Sequence, residues 1–301
     1  MNYQNITIAG SGVLGSQIAF QTAFKGFNVS VYDINDEALE RAKDRIINLK
    51  PYYKEDLGAA EENLNAAYAR ISFHSDLSGA VAEADLVIEA IPEVVQIKTD
   101  FYTELGKVAP EKTIFATNSS TLLPSQFAEA TGRPKKFLAL HFANEIWKNN
   151  TAEIMKHPGT DNEVFEEVIE FAKAIGMVPL PLHKEQPGYI LKLNSLLVPL
   201  LDAAQMLLLK GVADTETIDK TWMVATGAPL GPFAILDVVG INTAYNISLA
   251  KAKATGDPEV EKLANLLKTE YIDKGKIGRE AGEGFYKYPN PNFAKPDFLR
   301  G

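Results

Sequence analysis

The chain has 301 residues, 46% of them hydrophobic and 23% charged, the balance of a globular protein with room for two domains of ordinary size. Its formal net charge of −9 argues against a nucleic-acid surface, and four histidines with no cysteine exclude disulfides and thiolate nucleophiles and leave few routes to a transition-metal site. No apolar run reaches the ~18 residues a membrane helix needs, and the opening residues resemble no signal peptide, so a cytoplasmic protein is expected.

Residues 4–10 read as a short apolar strand ending in Gly10. From Gly15 to Gly26 the residues Ile18, Ala19, Thr22, Ala23 and Phe24 fall at helical spacing, with Gly26 where a helix-ending glycine belongs. A β-branched strand follows over 28–33, which completes strand, glycine turn, helix and strand in one βαβ unit. Residues 36–70 are helical and polar, broken at Pro51; that polarity predicts an arm projecting from the sheet rather than core. Strands are predicted over 85–91, 113–117, 137–142 and 177–182, with helices over 94–108 and 161–175. The alternation predicts an α/β Rossmann fold with a doubly wound, mostly parallel sheet. After residue 184 the strand signal ends and helical runs take over, so the domains are expected at 1–184 and 185–301, the second all-α. Within it, residues 196–209 are apolar all round, as in a buried helix. The last dozen residues predict a loosely held tail.

Gly10-Ser11-Gly12-Val13-Leu14-Gly15 is a G-x-G-x-x-G placed between a strand and a helix, the context that makes it a dinucleotide fingerprint. Gly10 permits the tight turn, Gly12 lets a pyrophosphate approach, Gly15 lets helix and strand close up, and the helix start offers amides to phosphate. Asp33 ends the second strand, where its carboxylate can accept from a ribose 2′-hydroxyl and repel a 2′-phosphate, which predicts NAD rather than NADP.

Oxidising an alcohol requires a base for the hydroxyl proton, and without cysteine or metal histidine is the first candidate. His74 reads as a surface residue, His157 lies in a Lys-His-Pro-Gly turn, and His183 ends the last strand. Only His141 sits near the carboxyl end of a strand inside the sheet, where such folds bind ligands.

Around it stand Asn118-Ser119-Ser120-Thr121, then Leu140-His141-Phe142, then Glu153 twelve residues after the histidine. With Glu89-Ala90-Ile91-Pro92-Glu93, Lys98, Gly227-Ala228-Pro229-Leu230-Gly231-Pro232-Phe233 and Gly282-Glu283-Gly284-Phe285-Tyr286, the chain resembles the 3-hydroxyacyl-CoA dehydrogenase family over essentially its whole length. The resemblance implies that His141 is the general acid/base, that Glu153 orients it, and that Ser120 and an asparagine of the second domain hydrogen-bond the reacting oxygen. Glu93, Lys98 and Asn118 would lie on the cofactor side, and the protein would be a homodimer built through its helical domain and would take an L-3-hydroxy substrate.

Two stretches depart from the family pattern. Residues 142–150, Phe-Ala-Asn-Glu-Ile-Trp-Lys-Asn-Asn, lack the usual prolines and bring bulk to a segment expected to border the substrate, where the chain is more similar to the diketoreductase branch. The substrate is therefore either a CoA thioester or a CoA-free keto acid or ester. Second, Lys192 stands where the family asparagine is expected, and Asn194 follows two residues later; Asn194 is taken as the match because the helical pattern after it is kept. A non-catalytic NAD-binding role, as in crystallins similar to this family, has no use for the His141–Glu153 pair.

Overall fold

Strands covered on both faces are mostly apolar, and the central strands of this chain follow that rule, with polar residues such as Glu89, Thr117 and His141 at or near their carboxyl ends. The computed structural model describes residues 3–186 and 195–300, and the chain divides into two compact units, Met1–Tyr189 and Ile190–Gly301. The first unit holds one sheet of β1 (Asn5–Ala9), β2 (Asn28–Tyr32), β3 (Ile71–His74), β4 (Leu86–Glu89), β5 (Ile114–Thr117), β6 (Phe137–Phe142), β7 (Thr151–Met155) and β8 (Val178–Leu182). The order is β3-β2-β1-β4-β5-β6-β7-β8. From β3 to β6 the neighbours are parallel; β7 runs antiparallel to β6, and β8 parallel to β7. Order reverses beside β1, which has β2 on one side and β4 on the other, so a crevice opens at the carboxyl ends of these strands.

β6 is buried at every residue. β8 closes the edge with Pro179 and Pro181: Val178 donates its N–H toward β7, at Asn150, so the prolines two apart turn their missing N–H to the free edge. β7 has no counterpart in the sequence reading, because Thr-Ala-Glu-Ile-Met places a charge in the middle of a short apolar run.

The helices of this unit are α1 (Val13–Phe24), α2 (Asp36–Ile47), α3 (Lys50–Leu57), α4 (Glu61–Ala69), α5 (Leu77–Val81), α6 (Val95–Val108) and α7 (Asn162–Ala174). Gly26 follows α1 at φ 99°, as its predicted role requires. The polar stretch after β2 is not a projecting arm. Ala38, Leu39, Ala42 and Ile46 of α2, Tyr53 of α3, and Leu64 and Ala67 of α4 form an inward stripe. Leu39, Ile46, Tyr53, Leu64 and Ala67 join the same core as α1 and the sheet. Mean polarity misleads here, since a handful of apolar residues at helical spacing is enough to bury one face. Pro51 does not break a helix either; it stands in the first turn of α3, where its missing N–H costs nothing.

The second unit contains α8 (Leu197–Leu209), α9 (Thr215–Thr226), α10 (Pro232–Val239), α11 (Ile241–Thr255) and α12 (Pro258–Leu266). Phe233, Leu236, Ile241, Leu263, Leu267 and Tyr286 are at its core. Among the described residues no single helix is long and apolar enough to cross a membrane. α8 departs from expectation: of its side chains only Leu201, Ala204 and Gln205 are buried, and Leu207 is 42% exposed. The end of the chain is likewise not a loose tail, for Phe293 packs edge-on against Tyr286 at 4.9 Å and Phe298 is buried.

Two buried carboxylates tie this unit together. Asp219 accepts from the N–H groups of Phe233 (2.9 Å) and Ala234 (3.0 Å) and from the Tyr286 hydroxyl (2.9 Å). Asp237 accepts from the N–H groups of Phe285 (2.7 Å) and Tyr286 (2.9 Å) and from the Tyr288 hydroxyl (3.1 Å). Burial raises the pKa of both against the pull of these donors. A Cβ on Gly231 would overlap Asp219, and one on Gly284 would overlap Asp237, which explains the two glycine-aromatic motifs as seats for the aspartates.

Candidate active site

The glycine turn follows from backbone geometry. Gly10 has φ 97°, and a Cβ there would run into the carbonyl of Ala90; a Cβ on Gly15 would overlap the carbonyl of Gly10. At Gly12 a Cβ would meet nothing within 4 Å, so its space is left open at the N-terminus of α1. The first amides of an α-helix have no acceptor within it, so those of Val13, Leu14 and Gly15 can hold an anion.

A cleft of about 720 Å³ runs from Gly10, Ser11 and Gly12 past Asp33 to Leu77, Ile97 and Phe101. Asp33 is fixed by the chain: Oδ2 accepts from the N–H of Ser11 (2.8 Å) and its hydroxyl (2.5 Å), and Oδ1 from the N–H of Ile34 (2.8 Å). Arg45 donates to the Ser11 carbonyl at 3.1 Å, and both it and Arg41 line this cleft. No arginine follows Asp33 at once in the sequence; these two arrive from α2 across a turn, and Ser11 stood in view as a variable position of the fingerprint.

A second cavity, of about 250 Å³, lies beside Gly12, Val13, Leu14 and Gly15 and is lined as well by Glu93, Lys98, Asn118, Ser120 and Thr121. Every cofactor residue singled out in the sequence thus faces one of the two cavities. Lys98 is buried and serves the chain's own acids: its ammonium lies 2.5 Å from Glu89 and 3.3 Å from Glu93. Tyr102 (2.9 Å) and Thr117 (2.8 Å) donate to the other oxygen of Glu89. Burial works against ionisation of Glu93, yet hydrogen bonds from Ser119 and Thr121 together with the Lys98 charge outweigh it and bring its pKa to about 2.

His141 and Glu153 meet through register. They face each other directly across the antiparallel β6–β7 pair, which points both side chains to the same face. Nδ1 of His141 lies 3.2 Å from Oε2 of Glu153, and Nε2 lies 3.1 Å from the Ser120 hydroxyl. Because an ionised carboxylate only accepts, Nδ1 holds the hydrogen of the neutral ring and Nε2 presents its lone pair. Asn118 accepts the N–H of Phe142 at 2.9 Å and so ties the Ser120 loop to the strand of the histidine. Asn194 and Lys192 lie outside the described residues. The other histidines are placed elsewhere: His74 bonds Ser72, His157 lies 2.9 Å from the carbonyl of Pro134, and His183 packs on Phe165.

The unusual segment after His141 turns its bulk inward rather than outward. Ile146 and Trp147 are buried, the indole stacks on Tyr52 and meets Tyr53 of α3 at a tilt, and its N–H donates to Asp56 at 2.8 Å. Gln17 of α1 accepts the N–H of Glu145 at 2.7 Å, where the chain takes a φ of 57°.

The two halves of the chain match separate family models. Residues 5–186 match that of "3-hydroxyacyl-CoA dehydrogenase, NAD binding domain", and residues 188–288 that of "3-hydroxyacyl-CoA dehydrogenase, C-terminal domain". The chain belongs to the 3-hydroxyacyl-CoA dehydrogenase family. It is an NAD-dependent oxidoreductase. It is 34% identical to the mitochondrial hydroxyacyl-coenzyme A dehydrogenase of Homo sapiens over 290 residues, covering 95% of this chain and 91% of the relative. A probable 3-hydroxybutyryl-CoA dehydrogenase of Bacillus subtilis is 31% identical, with 96% and 98% covered. Among solved structures, a diketoreductase described by "substrate-directed dual catalysis of dicarbonyl compounds" is 57% identical, with a TM-score of 0.84 over 96% of this chain and 100% of that one. The (S)-3-hydroxybutyryl-CoA dehydrogenase of Ralstonia eutropha is 27% identical, with a TM-score of 0.77 over 96% and 100%.

Proposed function

We propose that this dehydrogenase interconverts L-3-hydroxyacyl-CoA and 3-ketoacyl-CoA, with His141 as the acid/base. The observation that carries this reading is the His141 ring held between Glu153 and Ser120 at 3.2 and 3.1 Å. The open space at Gly12, the free start of α1 and the fixed Asp33 carboxylate fit a dinucleotide without a 2′-phosphate. Gly10, Gly12, Val13, Leu14, Gly15 and Asp33 would hold its adenosine and diphosphate; Glu93, Lys98 and Asn118 would line the nicotinamide side. When bound, NAD supplies a hydride acceptor, and in its reduced form a hydride donor.

The rest falls to side chains. In oxidation Nε2 of His141 accepts the substrate hydroxyl proton, while Glu153 stabilises the imidazolium that forms. In reduction the imidazolium returns that proton to the new alkoxide. Ser120, at Nε2, is placed to hydrogen-bond the reacting oxygen, and Asn194 is assigned the same task. In this proposal residues 1–184 hold NAD, and 185–301 serve the substrate and the dimer contact. Exposed Leu196, Leu207, Val224 and Val238 in the helical unit support a homodimer. A chain without cysteine fits a cytoplasmic location.

One observation favours a second reading, reduction of a CoA-free dicarbonyl: the 57% identity to a diketoreductase. NADH oxidation is to be followed with acetoacetyl-CoA and with a 3,5-diketo ester side by side, using His141→Ala as control. Higher kcat/KM for the thioester supports the first reading, and preference for the ester supports the second. Equal turnover by His141→Ala and the native protein would sink the mechanism in both.

A further inference from the structure

We infer that Glu93 is a positioning residue for Ser120: it clamps the loop that presents the Ser120 hydroxyl to the reacting oxygen. This rests on the reading of Ser120 given above.

The loop leaves the carboxyl end of β5 and has to place a hydroxyl 3.1 Å from Nε2 of His141. Three successive residues of it converge on one oxygen. Oε1 of Glu93 accepts from the Ser119 hydroxyl (2.5 Å), the Ser120 N–H (3.0 Å), and the Thr121 N–H and hydroxyl (3.0 Å each). Oε2 faces the buried Lys98 ammonium at 3.3 Å, and Lys98 is anchored in turn on Glu89. Ser119 closes the turn by accepting the Leu122 N–H at 2.9 Å. Glu93 itself is fixed from the opposite side, just before α6, so the clamp spans β4, β5 and α6.

Four donors on one oxygen and a cation on the other engage both ends of the carboxylate with the chain's own groups. A residue whose task was only to receive the cofactor has no need of such a set. The Lys98 charge also offsets that of Glu93 near the place where negative charge develops on the reacting oxygen. Precision matters here, because displacing a catalytic donor by about 1 Å can cost roughly 10²-fold in rate.

The test is a double-mutant cycle on the single-turnover hydride-transfer rate, using Glu93→Gln, Ser120→Ala and their combination, with acetoacetyl-CoA or the diketo ester, whichever turns over faster. NADH affinity and melting temperature are measured alongside. Ser120→Ala is expected to slow transfer by roughly 10²-fold. Glu93→Gln should slow it by about tenfold or more in the native background, and by less than about twofold once Ser120 is gone. Because Glu93 also lines the cavity assigned to the nicotinamide side, some loss of NADH affinity is expected in both backgrounds, and the rate at saturating NADH carries the test. An equal loss of rate from Glu93→Gln in both backgrounds, or a loss confined to NADH affinity with the rate at saturation unchanged, overturns the clamp and leaves Ser120 its role. An unchanged rate in Ser120→Ala overturns the assignment of Ser120, and the clamp with it. If Glu93→Gln fails to fold, Ser119→Ala and Thr121→Val, each removing one donor to Oε1, take its place in the cycle under the same criteria.

Discussion

At the scale of single residues, the site depends on carboxylates that differ only in what surrounds them. Asp33 is held by amides and a hydroxyl at the cleft, Glu153 by register with a histidine, and Glu93 by a loop and a lysine. Glu93 allows a pH prediction. Its pKa falls from an ordinary 4.5 to about 2, so the stabilisation from its ionised form is fully present above the unfolded value and is lost as pH drops from about 4.5 toward 2. Urea unfolding at pH 5 and pH 3 should therefore show a larger loss of stability in the native protein than in Glu93→Gln. Equal losses would mean that this carboxylate is not held in its ionised form by the fold. Part of this was legible in the sequence: Asp33 and His141 follow from position and motif, and Glu153 from the family resemblance. The partners of Glu93 were not, because Ser119, Ser120 and Thr121 are 26 to 28 residues away along the chain and are brought to it by the sheet.

At the scale of elements, buried acids do different work in the two units. The Glu89–Lys98 pair fixes β4 to α6, while Asp219 and Asp237 add hydrogen bonds to the packing between α9, α10 and the chain end. An asparagine at 237 keeps one acceptor oxygen and turns an amide group toward donors now met by Oδ1 or Oδ2. Asp237→Asn should cost about 1–3 kcal/mol for each group left unpaired, read as a lower urea midpoint. No change in midpoint would show that the carboxylate is dispensable to the fold. Helix and strand periods located most elements, because burial on one or both faces leaves its mark locally. β7 escaped, since its charged centre, Glu153, reads as exposed in the sequence yet is buried facing His141 between β6 and β8. The α2–α4 segment misled in the opposite direction: charges on three exposed faces masked the stripe that packs against α1.

At the scale of the whole molecule, α8 is the element whose environment differs most from its composition. A helix reading Leu-Val-Pro-Leu-Leu-Asp-Ala-Ala-Gln-Met-Leu-Leu-Leu belongs in a core, yet one protomer buries only part of it. If a second copy covers that face, sedimentation equilibrium at micromolar concentration should give twice the monomer mass, and Leu207→Glu should shift the protein toward monomer. A native protein that sediments as a monomer would remove the proposed dimer.

By itself the sequence determined the cofactor turn, the Rossmann pattern with helices after it, and the histidine at a strand end. These depend on local backbone geometry and on the period of apolar residues, both written in consecutive positions. Tertiary structure alone decided that Glu153 faces His141 across paired strands, that Trp147 turns into α3, and that one carboxylate gathers three residues of the Ser120 loop. Those contacts join residues far apart in the chain, and only the order and register of the sheet bring them within hydrogen-bonding distance.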